Sequence, residues 1–96
     1  MKAFDFSFEE ITPGEIDRKI AERIRSVRRR RKISQKKLSE KSGVSLGSVK
    51  RFEQSGEISL LSLTKVAIAL QIEGELKTLF SDVPFLSIEE ISDIED

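Results

Sequence analysis

Residues 33–56, ISQKKLSEKSGVSLGSVKRFEQSG, constrain the fold of this 96-residue chain more than any other stretch. Its apolar residues fall at Leu38, Val44, Val49 and Phe52, and Gly43 interrupts them where one short helix has to end and a second begin. Ser34 and Ser45 stand at the two helix starts, where a serine hydroxyl accepts a hydrogen bond from an otherwise unpaired first-turn amide. Between them the sequence predicts a seven-residue helix, a glycine able to adopt a positive φ, and a one-turn reversal. With Val49 and Phe52 turned inward, Ser45, Leu46, Gly47, Ser48, Lys50 and Arg51 are left on the outward or N-terminal side of the second helix. That is the side a helix presents to a groove.

The spacing is that of a helix-turn-helix, and SQKKLSEKSGVSLGSVKRFEQSGEISLLSLTKVAIAL resembles the lambda-repressor-like, XRE-type helix-turn-helix family. The likeness rests on Ser34 and Gln35 at the start of the second helix and on the turn Gly43, Val44, Ser45. It continues with Val49, Phe52 and Glu53 at the end of the recognition helix, then Ser59, Leu60, Leu63, Ala67 and Leu70 in the helix that follows. It spans roughly residues 17–80. The resemblance implies an all-α fold, a five-helix lambda-repressor-like DNA-binding domain that usually acts as a dimer.

Composition excludes several other classes. Hydrophobic residues make up 38% of the chain and charged residues 35%, which fits neither a membrane protein nor a compositionally disordered one. Without cysteine or histidine there is no disulfide scaffold, no cysteine or histidine metal site, and no serine-histidine or cysteine-histidine nucleophile. The remaining carboxylates are scattered, so no enzyme, cofactor or metal is expected. With no signal peptide and no apolar run of membrane-spanning length, the cytoplasm is the expected address.

The formal net charge of zero conceals a strong asymmetry. Residues 1–16 carry one base and four acids, residues 17–54 fourteen bases and four acids, and residues 55–96 two bases and nine acids. The segment charges are therefore −3, +10 and −7. A basic middle between acidic ends points to a polyanion partner for the middle, the alternative being solubility and pairing within the chain.

From the N-terminus, Phe4, Phe6 and Phe8 alternate with Asp5, Ser7 and Glu9, the period of a short strand. A lone strand needs a covering surface, either its own domain or another chain. Thr12, Pro13 and Glu15 form a helix start with a capping box, and the first helix is expected to run to about Lys32. Its apolar stripe is Ile16, Ile20, Ile24 and Val27. The run Arg28 to Arg31 points in four directions about 100° apart, so at least one member faces inward. Arg28, next to Val27, is the expected one. A fourth helix, from about Leu60 to Leu70, caps on Ser59 and carries a core stripe of Leu60, Leu63, Val66, Ala67 and Leu70. A fifth is expected around Glu75 to Phe80. The tail after it is acidic, with an extended start at Pro84, a capping box at Ser87 and Glu90, and periodic apolar residues. The expected division is an N-terminal arm at 1–11, a helix-turn-helix domain at 12–82 and an acidic tail at 83–96.

The resemblance also assigns roles. Ser34 and Gln35, with the amides of their helix, match the family's phosphate clamp, and Gln54 matches another backbone contact. Lys36, Lys37 and Lys50 add sequence-independent attraction. The base-reading positions correspond to Ser45, Leu46, Gly47, Ser48 and Arg51; Arg51 suits a bidentate contact to guanine and Leu46 a thymine methyl. Glu53 and Arg28 are expected to meet as an inward ion pair. Two features depart from the family: Leu46 and Gly47 replace polar readers, and Glu57 lies where relatives commonly have a basic phosphate contact. The expected function is a sequence-specific repressor binding a palindromic double-stranded DNA operator as a homodimer. The short chain, arm and tail resemble HipB-like antitoxins, which implies autoregulation and a toxin protein as partner. The alternatives are a phage or mobile-element repressor without a toxin, or an adaptor that keeps the fold without binding DNA.

Overall fold

The structure is a computed structural model and describes residues 12–81. The expected arm and its three phenylalanines, and the tail from residue 82 onward, lie outside the described residues. Five helices follow one another: α1 (Pro13–Arg30), α2 (Gln35–Ser42), α3 (Leu46–Ser55), α4 (Leu60–Ala69) and α5 (Glu73–Lys77). Among the described residues there is no strand.

Four of the five helices start on a hydroxyl cap. Thr12 accepts from the Glu15 amide, Ser34 from Lys37, Ser45 from Ser48 and Ser59 from Ser62. Each bond satisfies one of the amides that a helix start leaves without an intrahelical partner. The stops are of two kinds. Gly43 and Gly56 end α2 and α3 at φ of 75° and 86°, a region glycine enters without the Cβ clash. Lys32 and Gln71 end α1 and α4 at φ of 57° and 60°, with no glycine present. There the following amides turn back, Ile33 to the Arg28 carbonyl and Ile72 to that of Ala67, which closes the last turn of each helix. The first helix accordingly stops at Arg30 rather than near Lys32, because the chain has already turned into the left-handed region.

α1 packs on α3, α2 on α3 and α4, and α5 on α4. The shared core comprises Ala21, Ile24 and Val27 of α1, Leu38 of α2, Val44 of the turn, Val49 and Phe52 of α3, and Val66 with Leu70 at the end of α4. Phe52, Leu38 and Leu70 are almost completely buried, each contributing roughly 1.5–3 kcal/mol by removal from water.

Leu60 departs from the core stripe expected of α4, for it is 73% exposed. A helical side chain leans back over the preceding turn, and Leu60 is the first residue of its helix, so no turn lies beneath it. α5 begins earlier than the spacing suggested, at Glu73, and Phe80 stands outside it and exposed. Two polar links tie α1 to the C-terminal part of the fold: Arg23, within α1, pairs with Glu75 of α5 at 2.8 Å, and Arg31, at the end of α1, donates to the Gln71 side chain, just past α4, at 3.0 Å. The bond from Glu75 raises the Arg23 pKa against the opposing effect of burial, holding the guanidinium charged.

Candidate nucleic-acid interface

The turn between α2 and α3 is stitched by serines that periodicity alone does not single out. The Ser39 hydroxyl donates to the Val44 carbonyl at 2.6 Å, and the Ser42 hydroxyl accepts from the Val44 amide at 3.1 Å. With the Val44 side chain in the core, both its backbone polar groups are satisfied and the angle between the helices is held. Val49 and Phe52 then fix which face of α3 is turned outward.

On that face Ser45, Gly47, Ser48, Lys50, Arg51 and Gln54 are exposed and Leu46 is half-buried. The Ser45 hydroxyl accepts from the Ser48 amide at 3.1 Å and donates to the Ser48 hydroxyl at 2.8 Å, leaving the Ser48 proton free to donate outward. A Cβ built at Gly47 would meet nothing within 4 Å. The fold does not require glycine there, and its absent side chain leaves bare backbone on the exposed face of α3. Glu57, in the next loop, is exposed, and its amide donates to the Ser55 hydroxyl at 3.3 Å.

Behind α3 sits one polar cluster. Arg28 grips Glu53 through two bonds, Nε to Oε2 at 2.7 Å and Nη2 to Oε1 at 2.9 Å, and donates Nη1 to the Ile33 carbonyl at 2.8 Å. Their side chains are 10% and 4% exposed. Gln35, the first residue of α2, donates Nε2 to Glu53 Oε1 at 3.1 Å. One carboxylate thus joins α1, α2 and α3, and it orients the Gln35 amide, whose second N–H remains available. Ser34, Lys36 and Lys37 are exposed around the start of α2, where the unpaired amides of the first turn and the helix dipole favour an anion.

The structure brings Gln35, Lys50, Glu53 and Gln54 into one cleft, and adds Arg25 of α1. Sequence reasoning had not singled out Arg25. The available signal was its position three residues before Arg28, on a neighbouring part of the same helix surface. Arg51 lies beyond this cleft, on the outward side of α3 with Ser48. Among the described residues only two ion pairs form, Arg28 with Glu53 and Arg23 with Glu75. The charges of Lys36, Lys37, Lys50 and Arg51 are therefore uncompensated there. No helix among the described residues is long and apolar enough to cross a membrane.

A two-helix unit with a braced turn, an anchored second helix and unpaired cations around it defines the class of proteins that lay a recognition helix on the DNA double helix. Comparison with known families bears this out: the helix-turn-helix family model matches residues 24–76, more than half of the chain. The chain belongs to that family, of the XRE type, whose members are DNA-binding transcription regulators. Comparisons with curated proteins and with solved structures give no match.

Proposed function

We propose that this protein is a cytoplasmic transcriptional repressor that binds a palindromic operator as a homodimer and, as an antitoxin, controls its own operon. The observation that carries the DNA-reading part is the braced turn: it holds the exposed face of α3 at one fixed angle, with Arg51 and Ser48 forward and Gln35, Lys50 and Gln54 beside it. In this reading Ser34, Gln35, Lys36, Lys50 and Gln54 hold the backbone, while Ser45, Leu46, Gly47, Ser48 and Arg51 face base edges.

Support for a dimer comes from apolar side chains left in water. Leu61 and Ile68, seven residues apart on one side of α4, are 66% and 56% exposed. Such a surface favours a second copy covering it. The antitoxin role rests on the arm at 1–11 and the acidic tail at 83–96, which flank the proposed domain at 12–82; six acids and no base from Asp82 onward suit a basic surface on a toxin. Selection of bound sequences from a pool of random duplexes tests the reading. Two inverted half-sites about one helical turn apart are expected. Enrichment of no sequence, or of a single half-site, would remove the operator or the dimer respectively.

A further inference from the structure

Arg25 occupies a position that the assigned interface does not use. It is exposed on α1, makes no ion pair among the described residues, and lines the cleft formed with Gln35, Lys50, Glu53 and Gln54. Glu53 is the one acid of that cleft, and both its oxygens are taken: Oε2 by Arg28, and Oε1 by Arg28 and Gln35. Two cations from different helices therefore share an opening whose one carboxylate is already engaged; Glu22, three residues before Arg25, borders a neighbouring groove of α1 and forms no ion pair with it among the described residues. Two side-chain amides, Gln35 and Gln54, supply further N–H donors beside them.

We infer that this cleft seats one phosphate of the DNA backbone and that Arg25 is among its ligands, so that the DNA-contacting surface extends from α2 and α3 onto α1. The inference rests on the DNA-binding reading of α3. A guanidinium offers a planar fork matched to two phosphate oxygens, Lys50 adds a point charge, and the amides fix the direction of approach. Position favours the DNA strand as the source. Gln54 follows Arg51 by three residues along α3, so a duplex whose base edges meet Arg51 brings its backbone to the mouth of the cleft. The simpler alternative is a solvated basic helix, whose arginines would all attract DNA alike through their long-range field. Arg30, on α1 but outside the cleft, reports on that alternative.

The test is the salt dependence of binding by the full chain, measured by fluorescence anisotropy on a selected operator and on a random duplex. Arg25→Ala should lower the slope of log K against log salt by about 0.9 per subunit, equally on both duplexes. Arg25→Lys should keep most of that slope, and Arg30→Ala should change it much less. An unchanged melting temperature for each variant excludes misfolding, as expected for exposed side chains. Equal losses for Arg25→Ala and Arg30→Ala would overturn the seat in favour of a diffuse field, and so would a loss confined to the operator. A flat slope for the parent protein would overturn the DNA-binding reading itself, whereas a steep parental slope unmoved by Arg25→Ala overturns the seat alone.

Discussion

Gly43 and Gly56 both adopt a positive φ, yet their surroundings differ enough to separate two costs that usually occur together. A Cβ at Gly43 would meet nothing within 4 Å, whereas one at Gly56 would lie 2.8 Å from the Asp17 carbonyl carbon and 2.9 Å from its Cβ. Gly43→Ala should therefore cost only the backbone term, about 1–2 kcal/mol. Gly56→Ala should cost distinctly more, because α1 has to move away from α3. Urea denaturation of the two variants compares them, and equal midpoints would contradict the close approach. At the interface, Arg51→Ala should relax discrimination at one base pair per half-site by about 1–3 kcal/mol, while Lys36→Ala weakens all sequences alike. Binding to an operator and its single-base variants distinguishes the two: equal losses on operator and random DNA for Arg51→Ala would reduce it to a phosphate contact.

Among the elements, α1, α2 and α3 depend on Glu53. With its side chain 4% exposed and that of Arg28 10%, removing the carboxylate strands a buried guanidinium. Glu53→Ala should cost about 3–5 kcal/mol, enough to unfold much of so small a protein, whereas an exposed pair would cost under about 1 kcal/mol. A melting temperature within a degree or two of the parent would refute the bridging role. The helix starts at Thr12, Ser34, Ser45 and Ser59 are written in the sequence because a hydroxyl cap needs one residue at one position. The stops at Lys32 and Gln71 are not, because their left-handed turns are closed by backbone bonds that any residue can make. The same contrast runs through the site. Periodicity turns Val49 and Phe52 inward and so exposes Ser48 and Arg51, but it identifies a face and not its neighbour across the fold. That Gln35 bonds to Glu53 and that Arg25 reaches their cleft depend on how separate helices pack, and that Leu60 lies in water depends on where α4 itself begins.

At the scale of the whole molecule, charge separates the work of the middle from that of the ends. Three phenylalanines of the arm left in water would forgo roughly 2–3 kcal/mol each of burial, so a covering surface is expected, that of the arm's own domain or, on the proposed reading, that of a second chain. Deleting residues 1–10 should weaken dimerisation and operator binding together. Deleting residues 84–96 should leave operator binding intact and, on the proposed antitoxin reading, abolish capture of a toxin protein. Light scattering and a pull-down on the two truncations decide the matter: an arm deletion that stays dimeric, or a tail deletion that still captures its partner, would contradict the assignment concerned. The central claim is that the +10 segment from residue 17 to residue 54 is a surface for the DNA backbone. With roughly 4–6 phosphate contacts per subunit, the affinity of the proposed dimer for duplex DNA should fall with a log K against log salt slope of about 7–11 in magnitude. An affinity that hardly changes between low and moderate salt would contradict it.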